Sequence, residues 1–460
     1  MLYGRPEECT LNLHRLVHGW LLWFAVTPTM VRTAQADTPP EPRSLRLDEA
    51  FEELDRQNPT LAQARSRGDE AVGLVRQARA ALLPTLTATG GYARYSDEAS
   101  FSMGNFLRLL PLPPGTPIPP TVVIQPLEAW TVGGTLRVPL VVPTAWYDLS
   151  AAQESERAVQ ASTATVRIQL RTGFAQAVYA ATAYEQVVTA SERATEIATE
   201  HAKSAERRVL AGTAAPLDLL RAKTEVVRRE SDLVRARAEL GRARLALGIL
   251  LGRTEAVRVA APELDETTGS QPVPDSAIAH AIATRPDQVA SQAQVDAASA
   301  QVRSAWARFF PQLTATGSVF ASDVPYPTGK KDGWRVSVDL TWPLYDGGFR
   351  YGKEHQAEAA LRTAALAQQG ERLHVQQEIE DAKRDLDVAR ERVGLASVQQ
   401  KLAADAAASA KRSFEAGVAS NLDVLDANDK LYESDVAVAD GHARFAQALW
   451  SLERALGKGR

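Results

Sequence analysis

Two stretches decide the fold: Leu82-Leu83-Pro84-Thr85-Leu86-Thr87-Ala88-Thr89-Gly90 and Phe309-Phe310-Pro311-Gln312-Leu313-Thr314-Ala315-Thr316-Gly317. They match at an offset of 227 positions (Pro84 to Pro311), and Asn58-Pro59 matches Arg285-Pro286 at the same offset. Farther on, Val138-Pro139-Leu140 aligns with Trp342-Pro343-Leu344 at an offset of 204. Ala211-Gly212, Leu217-Asp218 and Leu220 then align with Ala416-Gly417, Leu422-Asp423 and Leu425 at 205. A single length change, about 23 extra residues between the matched prolines of the first copy, reconciles nearly all of these offsets. The chain is built from a tandem repeat.

Each copy reads in one order: a helix (Leu47 to Leu83 in the first, broken at Asn58-Pro59), a strand, a loop, a second strand, a very long helix, a Gly-containing turn and a returning helix. Proline punctuates the helix-to-strand changes because it cannot continue the helical hydrogen-bond ladder. The predicted first repeat is 37–262, with strands at about 84–95 and 129–140. The second is 263–460, with strands at about 311–321 and 333–344. A looser Pro-, Thr- and Gly-containing segment, Arg253 to Ser276, joins them.

The strands alternate with period two. Trp334, Val336, Val338, Leu340 and Trp342 point one way, and Arg335, Ser337, Asp339 and Thr341 the other. In the first copy Trp130, Val132, Gly134, Leu136 and Val138 oppose Thr131, Gly133, Thr135 and Arg137, and Leu86, Ala88, Gly90 and Tyr92 oppose three threonines. Each stretch approaches the ~9–11 residues that a tilted strand needs to cross a bilayer. Trp130, Trp334 and Trp342 suit the aromatic girdles of such a strand. A soluble sandwich with one wet face alternates in the same way. Four strands, however, fall short of the ~8 that close the smallest membrane barrels, and open strand edges are not tolerated in lipid. A membrane role therefore requires several chains per barrel; three would supply twelve strands. The proline-dense stretch Gly104 to Pro126 is expected to be an external loop.

From Phe349 to about Phe414 there is no proline, which predicts a helix of ~65 residues and ~100 Å. Val375, Ile379, Ala382, Leu386, Ala389, Val393 and Ala396 recur at steps of four and three, a coiled-coil seam. Ala177, Ala181, Tyr184 and Val188 suggest a similar stripe in the first copy. Two such helices attached to membrane strands read as the wall of a tube.

The 460 residues carry a formal charge of −4, with 45% hydrophobic and 6% aromatic residues. Nothing in this balance favours a nucleic-acid partner. Residues 1–36 read as a signal peptide: Arg5, His14 and Arg15 precede an apolar run from Leu16 to Val26, and Ala34-Gln35-Ala36 offers a cleavage site. The single cysteine, Cys9, lies inside this leader, so the mature chain has neither disulfides nor thiolate metal ligands. Loss of three arginines and two glutamates with the leader brings the mature charge to −5.

The sequence resembles the TolC-like outer-membrane efflux proteins over the whole mature chain. The resemblance rests on Leu47-Asp48-Glu49-Ala50, Asn58-Pro59, Arg76 to Pro84, Pro343-Leu344-Tyr345-Asp346-Gly347-Gly348, and Ala416-Gly417 followed by Leu422-Asp423-Val424-Leu425-Asp426. It implies a mainly α chain with a membrane β-barrel portion, and a homotrimer that forms a 12-stranded barrel in outer-membrane lipid above an α-helical periplasmic tunnel. It implies a passive export duct served by a periplasmic adaptor and an inner-membrane pump. Gly212, Thr213, Asp218, Gly417 and Val418 would then form the periplasmic tip and adaptor contact. Asp423 and Asp426 would form a channel constriction whose crowded carboxylates have raised pKa values. The plainer reading of Asp423 and Asp426 is that they complement a helix N-terminus capped by Ser420 or Asn421. Relatives that latch the tip with Tyr and Arg differ from this chain, which has Phe414 and Ala419 there. Pro139 to Pro143 also lacks the Asp-Gly-Gly of the second copy, which predicts a differently built turn.

Catalytic patterns are missing. His201, His280, His355, His374 and His442 are scattered, and neither a phosphate loop nor a Gly-x-Ser-x-Gly elbow occurs. No enzyme, cofactor or metal site is expected. The alternative to a channel is a periplasmic coiled-coil structural or adaptor protein without a membrane barrel.

Overall fold

The computed structural model describes residues 44–101, 113, 122–262, 274–325 and 329–458. The expected leader and most of the proline-dense loop lie outside the described residues. A short strand β1 (Ser44–Arg46) leads into α1 (Leu47–Gln57), whose first turn holds Asp48 and Glu49. Helix α2 (Pro59–Ala80) follows at once. Asn58 makes that corner: its Oδ1 accepts from the amides of Thr60 (2.9 Å) and Leu61 (3.1 Å), the N-cap bonds that free amides at a helix start require. Its Nδ2 donates 2.8 Å to the carbonyl of Leu250, at the far end of the same repeat.

Strands β2 (Thr85–Arg94), β3 (Ala99–Phe101), β4 (Val122–Gln125) and β5 (Glu128–Val141) come next, then α3 (Pro143–Leu210), α4 (Pro216–Leu250) and β6 (Arg258–Ala260), which pairs in parallel with β1. Helix α5 (Asp275–Thr284) opens the second half. It is followed by α6 (Pro286–Ala307), β7 (Gln312–Ser322), β8 (Asp332–Thr341), α7 (Phe349–Glu415) and α8 (Asn421–Ala455). The corner at Asn58 recurs with different chemistry. Arg285, before Pro286, donates 2.7 Å to the carbonyl of Ala455 and is held by the carboxylates of Asp287 and Glu378.

The two hairpins merge into one antiparallel sheet in the order β2-β5-β7-β8. The register pairs Leu86 with Leu136, Leu136 with Gly317 and Gly317 with Val336, so the apolar positions of all four strands share a face. Thr85, Arg137, Thr316 and Ser337 share the other. Strands β2 and β8 are the two edges, each with one unpaired side.

Helices α3 and α7 have 68 and 67 residues, about 100 Å each at 1.5 Å per residue. Helix α3 packs on α4 and on α8, and α8 on α7, so the long helices lie in the order α4-α3-α8-α7. Val375, Ile379, Ala382, Leu386, Ala389 and Val393 are buried as the seam requires, with Ala396 half-buried. The first-copy stripe needs correction. Tyr184 is exposed, and the buried line is Phe174, Val178 and Ala181, set against Phe51, Leu54 and Trp450. Helix α3 is covered on several sides in this region, so its burial does not follow one seam. Among the described residues no helix is long and apolar enough to cross a membrane.

Candidate functional site

The two glycine turns sit side by side at one end of the long helices. Gly212 and Gly417 take φ of +71° and +77°, the left-handed region that glycine enters without a Cβ penalty. In each turn the following amide reaches back to close the helix end: Thr213 to the carbonyl of Arg208 (2.9 Å) and Val418 to that of Ser413 (2.9 Å). Val418 is 84% exposed at the apex. Asp218 lies in the first turn of α4, and its carbonyl accepts from Asn421 Nδ2 at 3.4 Å.

Four side chains join the turns through contacts that the sequence did not reveal. Arg208 donates 2.8 Å to the carbonyl of Phe414, with its guanidinium 4.1 Å from the centre of the Phe414 ring. His201 is buried beside that ring, centroids 5.2 Å apart, and its Nε2 lies 2.5 Å from Asn421 Oδ1. Burial lowers the His201 pKa; the hydrogen bond to Asn421 partly opposes it, and the positive charge of Arg208 adds a smaller push downward. Phe414 therefore anchors the turn from inside the protomer. These contacts join residues about 200 positions apart, so no local pattern announces them.

Asp423 and Asp426 lie on the exposed face of α8. Ser420, not Asn421, is the N-cap. Asp423 Oδ2 accepts from Ser420 N and Oγ (2.8 Å each), and Ser420 Oγ accepts from Asp423 N at 3.3 Å, a reciprocal capping box. The Ser420 amide, aided by its hydroxyl, holds Asp423 below the usual carboxylate range. About two turns farther up α8, Asp429 takes the buried guanidinium of Arg229 on α4, which also holds Glu225 (2.6 Å) and Asp232 (3.5 Å). This ion cluster bridges two helices that otherwise barely touch.

At the sheet, Trp130, Trp334 and Trp342 are 45%, 77% and 57% exposed. Trp130 and Trp334 stand on the apolar face. Trp342 falls just past β8 and donates its Nε1 to the carbonyl of Phe309 (3.1 Å). Just before β7 the ring of Phe309 packs against Trp306 (centroids 5.5 Å apart) and Tyr351 (5.2 Å), an aromatic cluster that the single-strand reading missed. The two strand-to-helix turns differ as expected. In the second copy Asp346 Oδ2 accepts from Arg350 N and Nε. In the first, a register shift between Pro139 and Val141 leads straight to Pro143 at the helix start.

The family model described as "Outer membrane efflux protein" matches residues 51–253 and 277–458. The chain is 28% identical over 263 residues to the outer membrane protein OprJ of Pseudomonas aeruginosa, covering 55% of this chain and 54% of OprJ. It is 26% identical over 323 residues to the cobalt-zinc-cadmium resistance protein CzcC of Cupriavidus metallidurans, covering 67% and 73%. The OprJ alignment thus spans about half of that relative's length. The fold is shared with the outer-membrane channel OprN, with a TM-score of 0.75 at 21% identity and 90% of each chain covered. With the repeated helix–strand–strand–helix order, the one-sided apolar sheet and the paired glycine turns, the chain belongs to the outer membrane efflux protein family, the outer-membrane channels.

Proposed function

We propose that three copies of this chain form a passive export duct across the outer membrane, fed through an α-helical periplasmic tunnel by an inner-membrane pump and a periplasmic adaptor. The observation that carries this reading is a pair of open flanks. The sheet ends in unpaired β2 and β8 and exposes Leu86, Val132, Val319, Trp334 and Val336 on one face. Such edges are not left open in lipid. The antiparallel order lets β8 of one copy pair with β2 of the next, closing twelve strands around the polar face. The helical layer has matching flanks. Leu220, Val227 and Val234 on α4 are spaced by sevens, as are Leu366 with Leu373, and Val388 with Leu395 and Leu402, on α7, and all are at least half exposed. That period belongs to a coiled-coil seam awaiting a partner helix.

The paired turns form the periplasmic tip in this reading, with Gly212, Thr213, Asp218, Gly417 and Val418 facing the adaptor and the exposed Asp423 and Asp426 ringing the constriction. Drug, metal and protein cargoes are equally compatible with such a duct, since selection at the pump precedes it. The test is a planar lipid bilayer carrying the protein purified from outer membranes. Discrete conductance steps are expected. Protein that is released from membranes without detergent and conducts nothing would overturn the duct.

A further inference from the structure

The strand register assigns each residue of β2, β5, β7 and β8 to one of two faces, and the polar face carries few charges. Along the four strands it holds mainly threonine, serine and glycine, with Phe320 between Gly133 and Gly333, and with Arg137, Arg335 and Asp339 as its ionised groups. Arg137 stands opposite Thr85 on one side and Thr316 on the other; Arg335 stands opposite Ser318, two residues along β7. The two backbones are thus two strand spacings apart, about 10 Å, and about 7 Å apart along the strands. Both side chains are exposed, and neither has an ion-pair or hydrogen-bond partner among the described residues. Asp339 lies four residues farther along β8 than Arg335, about 13 Å, and accepts from Ser337 Oγ at 3.0 Å. It does not neutralise either arginine.

We propose that Arg137 and Arg335 form an anion-recruiting collar inside the barrel, a binding zone for multivalent anions that bear phosphate or carboxylate groups. The inference rests on the three-copy duct. There the polar face lines the lumen, and six guanidiniums face three carboxylates at neighbouring levels. A water-filled lumen walled by protein and lipid concentrates the field of fixed charges. The planar guanidinium fork matches phosphate and carboxylate oxygens in pairs. The threonines and serines around the arginines add no charge, so in each copy two guanidiniums outweigh the one carboxylate of Asp339, which stands about as far from Arg137 as Arg335 does. The collar would be opposite in sign to the carboxylates near the paired turns, so the two ends of the duct would treat an ion differently.

The test is block of open channels in a planar bilayer by inorganic tripolyphosphate, added to either side. At about 0.01 M salt the screening length is ~30 Å, so wall charges reach well into the lumen. Wild-type channels should be blocked, less so as salt rises. In R137Q/R335Q channels the blocking concentration should rise about tenfold. R137Q and R335Q read singly should each raise it about threefold, which supplies the measurement if the double variant fails to assemble. Conducting variant channels with unchanged block would overturn the collar and leave the duct standing. A wild-type protein that forms no channel would overturn the duct and the collar with it.

Discussion

Arg208 and Phe414, 206 positions apart in sequence, tie the first glycine turn to the second by two contacts at once: a 2.8 Å hydrogen bond to the Phe414 carbonyl and a guanidinium 4.1 Å from the ring centre. The carbonyl belongs to the last turn of α7, where helical partners run out. Arg208 thus adds a second donor to a carbonyl that the Gly417 amide already reaches at 3.1 Å, while covering an aromatic face. Replacing it removes a charged hydrogen bond and a cation–π contact, together about 1–3 kcal/mol. In Arg208→Ala, amide hydrogen exchange over 412–424 should accelerate about tenfold or more, with the α7 seam around Ile379 unaffected. Equal acceleration in both regions would mean that Arg208 holds the whole bundle and not the tip.

His201 makes the same end sensitive to acid. Its folded-state pKa is lowered, first by burial and then by Arg208. The unfolded histidine therefore takes up a proton at a higher pH than the folded one, near 6.5. The stability of the neutral ring is fully present above that value and is lost as pH falls from there toward the folded pKa. Protonation also puts a second positive charge beside Arg208. A cavity of about 520 Å³ lined by Glu200, His201, Ser204, Lys411 and Phe414 gives the ring a route to water. Once divided by the intrinsic chemical rate, exchange at the paired turns should rise as pH falls from 7 to 5 in the wild type, and His201→Gln should flatten that dependence. A tip whose exchange tracks only the intrinsic chemical rate would remove the histidine from this role.

The α7 seam sets stability away from the tip. Ile379 is fully buried among Val375, Leu386 and Leu449 of the second core cluster. Ile379→Ala leaves a cavity costing about 2–5 kcal/mol, read as a lower thermal midpoint in detergent. Leu395→Ala, on the flank facing away from the protomer, should barely change the fold and should weaken assembly. Identical losses for the two variants would contradict the division into inner seam and outer flank.

Asp423 and Asp426 are expected to act on cations. Asp423→Asn/Asp426→Asn should weaken block of the open channel by a trivalent metal ammine added from the tip side. Because Asp423 is also a capping-box residue, the variant should lose about 1 kcal/mol at the helix start. Ser420→Ala supplies the control, since it breaks the same cap and keeps both carboxylates. If block survives the asparagines, or falls equally in Ser420→Ala, the two carboxylates do not form the constriction.

Much of this architecture was legible because repeats and periods are local. The Pro84/Pro311 match fixed the order of elements, and the two-residue alternation from Trp334 to Leu340 fixed the faces of β8 before any neighbour was known. The seam from Val375 to Val393 was equally plain, because one face of α7 meets one partner. The stripe on α3 was not, because that helix is covered on several sides and its burial does not keep a single period. The tip network was invisible for a different reason. His201, Arg208, Phe414 and Asn421 come from three helices, and each pair depends on how those helices align, which no window of sequence contains. The role of Ser420 was readable down to a choice of two residues; only the geometry of Asp423 settled which one caps.

The shared barrel is tested most directly by the mass of the particle extracted from outer membranes in mild detergent, corrected for bound detergent. The duct predicts three chains per particle, with twelve strands closed and the flanks of α4 and α7 covered. A single chain, stable in solution without detergent and with those flanks bare, would contradict it.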